Sequence, residues 1–126
     1  MLPFDLQPQS GKPISEQLVY AVKKALAQKR LQPGDSFPSV RTLSRELRMN
    51  PNTAQKAVSQ LTQLGILEIQ PGIGARVCDR APLSPHELAA ILDDPIESLV
   101  VEARQLGLTK TELEQRLRDA WKNLNL

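Results

Sequence analysis

The sequence predicts a mainly α-helical fold with one small β-hairpin. Three patterns carry this prediction. Apolar residues recur at the helical period over most of residues 13–64, a β-branched run with a Pro-Gly turn occupies residues 66–78, and residues 81–126 show helical patterns alone. With 126 residues in all, we expect one domain with a short helical extension.

The first predicted helix spans residues 13–31, because its apolar side chains share one face at the helical period. It follows a short extended lead-in, residues 1–12, which is rich in turn-forming residues. The Pro33-Gly34 pair then forces a turn.

The next two helices each begin at a recognisable cap residue. Ser39 follows a proline and predicts a second helix of about two turns. Asn50 predicts the start of a third helix, residues 51–64, with Pro51 at the position where a missing N–H costs nothing. Gly65 is the expected left-handed residue at its end.

A β-hairpin follows the third helix. The β-branched run at residues 66–69 predicts one strand, residues 71–74 a turn, and residues 75–78 a returning strand. The sign of the charge changes shortly afterwards, so we divide the chain into a domain of residues 1–79 and a helical extension of residues 80–126.

The extension contains three capping-box patterns, in which a cap residue is followed three positions later by glutamate. They predict three helix starts, although the sequence leaves open whether residues 85–106 form one kinked helix or two. The pairs are Ser84 with Glu87, Asp94 with Glu97, and Thr109 with Glu112.

Charge is divided unevenly along the chain. The formal net charge of +2 is made of +5 in residues 1–80 and −3 in residues 81–126. The chain has only four aromatic residues, too few for the stacking platforms that bind single strands. Any nucleic acid bound by the basic part is therefore expected to be duplex.

Several classes of chemistry lack the residues that they need. One cysteine, Cys78, and one histidine, His86, cannot build a zinc site or an internal disulfide, so we expect no metal or other cofactor. His86 has no nucleophile partner in a motif, which argues against an enzyme. No apolar run approaches the roughly 18 residues of a membrane span, and a cytoplasmic location is expected.

The order of three helices and a hairpin is that of a winged helix-turn-helix. The outer face of the third helix carries Asn52, Lys56, Ser59 and Gln63, with Thr53 and Gln55 on its flanks. Any surface helix is polar outside. This face, however, is nearly free of acidic residues and lies between Arg41 and Arg76 in the sequence, which favours readout of base edges in a major groove.

The start of the third helix and the hairpin turn are also suited to contacts with a DNA backbone. The start of the third helix presents backbone N–H groups and a positive dipole end, which suit a phosphate, and Asn50, Asn52 and Thr53 would supplement them. Gly72 and Gly74 form the hairpin turn and also let the wing tip approach a nucleic-acid backbone closely, with Arg76 as the cation of the wing.

In these motifs the chain resembles the GntR family of bacterial transcription regulators and, within it, the short YtrA-like branch. The resemblance covers about residues 4–78. It is carried by Pro-Ile-Ser-Glu-Gln at 13–17, Leu-Gln-Pro-Gly-Asp at 31–35, Phe-Pro-Ser-Val-Arg-Thr-Leu at 37–43, Asn-Pro-Asn-Thr at 50–53, and Leu-Gly-Ile through Gly-Ile-Gly at 64–74.

The resemblance implies contacts of Arg41 with phosphate or base, of the cap and first turn of the third helix with the operator, and of Gly72 with the minor groove. Other branches carry arginines at the positions of Pro51 and Gln55, so a different operator is expected. Together with the residue analysis, the predicted DNA-binding set is Ser39, Arg41, Asn50, Asn52, Thr53, Gln55, Lys56, Gly72, Gly74 and Arg76.

The extension presents apolar helical stripes that so short a segment cannot bury within itself, which predicts a homodimer. The alternative is that the stripes pack back on the first domain. The resemblance implies a two-helix dimerisation extension, too short for a separate effector domain. The sequence identifies no effector, and a ligand near Trp121 or Tyr20 is a secondary hypothesis. The predicted dimerisation residues are Leu99, Val100, Ala103, Leu106, Leu113, Leu117 and Trp121.

We therefore expect a homodimeric regulator, more readily a repressor than an activator, that binds a pseudo-palindromic duplex operator. Helix 51–64 would enter the major groove and wing 66–78 would lie near the minor groove. The alternative is a winged-helix module that binds another protein and whose DNA binding is vestigial.

Overall fold

The structure, a computed structural model, describes residues 2–6 and 11–124. Within these residues it contains five helices and one antiparallel hairpin, which confirms the predicted fold class. The chain divides into two compact units, Met1–Arg80 and Ala81–Leu126. The elements are α1 (Ile14–Ala27), α2 (Val40–Leu47), α3 (Pro51–Gln63), β1 (Leu67–Gln70), β2 (Gly74–Val77), α4 (Pro85–Gln105) and α5 (Lys110–Leu124).

Helix α1 is shorter than predicted, because it ends at Ala27. The chain turns back there: the amide of Arg30 donates to the Ala25 carbonyl at 2.9 Å, and Lys29 adopts a left-handed φ of 61°. This turn carries Leu31 into the core, where it is buried. Leu31 thus continues the apolar pattern of α1 without continuing the helix.

The predicted caps of α2 and α3 are confirmed. The Ser39 hydroxyl accepts the amide of Thr42 at 3.1 Å, and Oδ1 of Asn50 accepts the amide of Asn52 at 2.8 Å. Gly65, with a φ of 75°, follows the end of α3 as expected. Local hydrogen bonding therefore fixes where the two helices of the helix-turn-helix begin.

The hairpin is held at both edges of β2. On one side β1 and β2 pair in register from Leu67 with Val77 to Gln70 with Gly74. On the other side, the amide of Val77 donates to the Asp35 carbonyl and the amide of Phe37 to the Ala75 carbonyl, both at 2.9 Å. The sequence predicted the turn at Pro33-Gly34 but not the pairing of residues 35–37 with β2. This pairing connects the hairpin to the segment that enters α2.

The core of the first unit contains one fully buried leucine from each of α1, α2, α3 and β1: Leu18, Leu43, Leu61 and Leu67. The lead-in also contributes, since the ring of Phe4 stacks on Phe37 with centroids 5.9 Å apart. Residues 1 and 7–10 of the predicted lead-in lie outside the described residues. Helices α1 and α2 both pack on α3, which leaves the opposite face of α3 to solvent.

In the second unit the predicted helix start at Asp94 is wrong. Helix α4 continues unbroken through Pro95. The apolar positions keep one helical phase across this point, from Leu88 through Ile96 to Leu99. A single helix therefore presents them as one continuous apolar stripe, whereas two separate helices would break the stripe. The other two predicted caps are confirmed as capping boxes at the starts of α4 and α5.

Within the described residues, no helix is both long and apolar enough to cross a membrane.

Candidate nucleic-acid interface

The start of α3 is exposed, but its backbone amides are already paired. The carbonyl of Asn50 accepts the amides of Thr53 and Ala54 at 3.0 and 3.1 Å, its side chain accepts that of Asn52, and Pro51 has no N–H. The expectation that free N–H groups await a phosphate here is therefore wrong. The dipole of α3 and the side chains remain available to a ligand.

The outward face of α3 is polar and carries no acidic residue. Asn52, Gln55, Lys56 and Ser59 are exposed there, opposite the buried positions that pack on α1 and α2. Gln55 Nε2 donates to Ser59 Oγ at 3.3 Å, which orients that amide along the helix. Thr53 is half-buried on the flank of this face. The face can donate and accept hydrogen bonds with base edges.

At the start of α2, the Ser39 hydroxyl accepts the Thr42 amide and also donates to Thr42 Oγ1 at 3.0 Å. Its observed role is thus capping. Arg41 lies in the first turn of the helix with an exposed side chain. Of these two predicted contacts, Arg41 is the one free to meet a phosphate.

The wing, residues 66–78, ends in a tight turn. The amide of Ile73 donates to the Gln70 carbonyl at 3.0 Å, with Pro71 and Gly72 as the central residues and a φ of 77° at Gly72. A Cβ added at Gly72 or Gly74 would meet no atom of residues 2–6 or 11–124 within 4 Å. Backbone angles, not crowding inside the chain, therefore require glycine, and the tip is free to approach a partner closely.

Arg76 is exposed on β2, opposite Glu68 of β1. The backbone of Arg76 also forms an isolated antiparallel β-bridge with Ser36, three residues before the cap of α2. The backbone thus links the wing cation to the segment that carries Arg41. Nine of the ten predicted DNA-binding residues are exposed, Thr53 being the half-buried one, and their contact with DNA remains a prediction.

Two cations at the end of α2 are absent from the predicted DNA-binding set. Arg45 lies in its last turn, and Arg48 ends it with a left-handed φ of 52° and an exposed side chain. Both precede Asn50 closely, so they flank the start of α3. The signal was present as two arginines in the turn before a predicted N-cap, and we add them as candidate phosphate ligands.

The second unit exposes much of its apolar surface. Among the predicted dimerisation residues, Leu106, Leu117 and Trp121 are 69%, 56% and 76% exposed. Ala103, by contrast, is buried and Leu113 half-buried. An apolar groove of about 680 Å³ is lined by α4, α5 and the turn between them.

A helix-turn-helix with an acid-free outer face on its second helix, followed by a glycine-tipped hairpin, defines a winged-helix DNA-binding protein. Residues 14–77 match the family described as bacterial regulatory proteins, gntR family. The chain belongs to this family of DNA-binding transcriptional regulators, whose matching members are not enzymes.

Relatives with similar sequences span nearly the whole chain. The chain is 36% identical over 110 residues to YhcF of Bacillus subtilis, an uncharacterised HTH-type transcriptional regulator, which covers 87% of this chain and 91% of YhcF. It is 29% identical over 117 residues to the HTH-type transcriptional repressor YtrA of the same organism, covering 92% and 90%.

The fold recurs in solved structures. A crystal structure of a transcriptional antiterminator from Listeria monocytogenes EGD-e superposes with a TM-score of 0.83 at 24% identity, covering 96% of this chain and 91% of that one. At this identity the likeness concerns the fold.

Proposed function

We propose that the protein is a homodimeric repressor that binds a pseudo-palindromic duplex operator in the cytoplasm. The observation that carries this proposal is the exposed, acid-free face at the capped start of α3, flanked by Arg41, Arg45 and Arg48. The face would enter the major groove, where asparagine and glutamine pair with adenine. The arginines would hold phosphates on either side.

The wing would reach the minor groove beside the same half-site. Its tip has no side chain at Gly72 or Gly74, and its cation, Arg76, lies on the strand tied to the segment before α2. Backbone contacts of a fixed wing would position α3 on the DNA without distinguishing one base pair from another.

The apolar surface of the second unit supports self-association. Exposed leucines and a tryptophan on α4 and α5 line or adjoin an open groove, and a second copy would remove them from water. A two-fold dimer places two recognition helices about one DNA turn apart, roughly 34–36 Å. The acidic net charge of this unit would keep it away from the phosphates.

Repression is the polarity proposed, because the relative YtrA is named a transcriptional repressor. A bound dimer would block access of polymerase to a promoter without a separate activating surface.

Light scattering after size exclusion tests the dimer. The wild type should elute as a dimer at micromolar concentration, and Leu117→Glu should yield a folded monomer, because Leu117 lines the apolar groove. Val101→Glu is the matched control, since Val101 is also exposed on α4 but does not line that groove. A monomeric wild type would refute the dimer.

Salt dependence tests the DNA contact. If a dimer neutralises about 6 to 10 phosphates, duplex affinity should fall by about 10³ to 10⁵ between 50 and 200 mM salt. A protein-interaction module would instead show no saturable duplex binding even at low salt.

A further inference from the structure

A second cavity lies in the first unit, at the base of the wing and away from its tip. It has a volume of about 660 Å³, within the range of roughly 300 to 1,000 Å³ that small-molecule sites occupy. The end of α1, the turn after α3 and the residues that follow β2 line it. None of its lining residues belongs to the proposed DNA-binding set.

The cavity has an apolar floor and a cationic rim. Leu31, Ile66 and Val77 form buried parts of its wall. Among the described residues of the lining, Lys23, Lys29 and Arg80 stand against one carboxylate, Asp79, which gives a net charge of +2. Within the described residues, neither lysine side chain makes an ion pair or a hydrogen bond, so both ammonium groups are available.

We propose that this cavity binds a small amphipathic anion, with one carboxylate or phosphate head on an apolar body. The head would meet Lys23 and Lys29, where hydrogen bonds are charge-assisted. The body would cover the half-buried Leu26 and the exposed Pro33, which also line the cavity, and remove them from water. A neutral ligand would leave the cations unpaired, and a small hydrophilic anion would leave this apolar surface in contact with water.

Arg80 connects the cavity to the recognition helix. Its guanidinium donates to the carbonyl of Leu64, the C-cap of α3, at 2.6 Å. An anion that draws Arg80 inward would remove this donor from the end of α3. Given the proposed DNA-binding function, such a ligand should weaken duplex binding.

Binding can be tested without DNA, using octanoate and octyl phosphate as the two anionic probes and octanol as the neutral one. Cys78 is the only cysteine of the chain and lines the cavity. Either anion should slow alkylation of Cys78 by iodoacetamide, and the anion that protects at lower concentration identifies the preferred head group. In amide spectra the anions should shift residues 26–33 and 64–80.

Lys23→Gln/Lys29→Gln should weaken the binding of the anion about tenfold. Lys12→Gln/Lys24→Gln is the matched control, because these lysines do not line the cavity. Equal protection by octanol, shifts confined to α4 and α5, or unchanged affinity in the Lys23/Lys29 variant would overturn the proposal. Slow alkylation that is insensitive to both anions would mean that another part of the chain or a second copy fills the cavity, and it would overturn the proposal as well.

A duplex titration with and without octanoate tests the coupling separately. The anion should lower duplex affinity in the wild type but not in Arg80→Gln, which retains both lysines. Unchanged wild-type duplex affinity with octanoate bound would contradict the coupling. Failure of duplex binding itself would contradict the proposed function but not the anion site, which the alkylation assay reports independently.

Discussion

Arg41 and Asn52 would perform different parts of the proposed DNA contact. Arg41 presents an exposed guanidinium from the first turn of α2 and suits a phosphate, which is the same in every sequence. Asn52 presents an exposed carboxamide from the first turn of α3 and suits the edge of an adenine. Only the second contact can distinguish one base pair from another.

Substitutions should separate these two roles. Arg41→Ala should weaken binding to all duplexes and flatten the salt dependence, whereas Asn52→Ala should cost roughly 1 to 3 kcal/mol of discrimination at one base pair. Fluorescence anisotropy over a set of single-base operator variants measures both. Gln115→Ala, at an exposed position of α5 in the second unit, is the control and should change neither. Equal small effects of Arg41→Ala and Asn52→Ala would argue against this orientation on DNA.

Arg48 combines a strained backbone with a useful charge. A left-handed conformation costs a non-glycine residue about 1 to 2 kcal/mol, so Arg48→Gly should stabilise the fold by up to about 1 kcal/mol in thermal unfolding. The same change should lower duplex affinity at low salt, because a cation beside α3 is lost. Arg48→Lys should leave both properties near wild type. A destabilised Arg48→Gly variant would show that the Arg48 side chain stabilises the fold, and the arginine would then need no contact with DNA to account for it.

The effect of Pro95 on stability depends on whether it lies inside one continuous helix, as in α4, or begins a second helix. Inside α4 it removes one backbone hydrogen bond, so Pro95→Ala should stabilise the second unit by about 1 to 3 kcal/mol. At the start of a separate helix the proline would be favourable, and its replacement would then be neutral or harmful. Circular dichroism of the thermal transition distinguishes the two outcomes.

The two capping boxes make the helices of the second unit sensitive to pH. The pKa of Glu87 is lowered because the backbone amide of Ser84 donates to its carboxylate. The pKa of Glu112 is lowered chiefly because the hydroxyl of Thr109 donates to its carboxylate. Each carboxylate therefore stabilises the fold above its ordinary pKa, and this contribution is lost as pH falls through the lowered, folded-state value.

We expect Glu87→Ala and Glu112→Ala to lower the melting temperature at neutral pH, by an amount that shrinks as the pH falls below the carboxyl range. Glu97→Ala is the control, because its sequence pattern is the same but Asp94 lies inside α4 and caps nothing. Melting curves from pH 7 to pH 2 measure the difference. A pH-independent loss in the Glu87 variant would contradict the capping explanation.

Sequence patterns predicted those elements whose ends depend on local hydrogen bonds. Ser39, Asn50 and Gly65 begin or end helices through groups two to four residues away, so their roles could be recognised without the fold. Long-range effects were not recognisable: the return of Leu31 to the core and the pairing of residues 34–37 with β2 depend on distant partners. The outer face of α3 was predictable from residue types, whereas the pairing of the first amides of α3 depends on the backbone conformation at Asn50.

Charge and exposed apolar surface are divided between the two units. The first unit carries +5 and the proposed DNA contacts, and the second carries −3 and most of the exposed large apolar side chains. This division is consistent with a protein whose first unit binds DNA phosphates and whose second unit binds a second copy of the chain. The proposed two-fold symmetry should therefore appear in the DNA that the protein selects.

Selection of binding sites from a library of random duplexes reveals whether the DNA bound by the protein is symmetric. A two-fold dimer should enrich one inverted repeat whose half-sites are centred about one helical turn apart, roughly 10 base pairs. Asn52→Ala should relax one symmetric pair of positions within it. Enrichment of a single half-site without symmetry would refute binding as a two-fold dimer, and no enriched sequence at low salt would refute sequence-specific DNA binding.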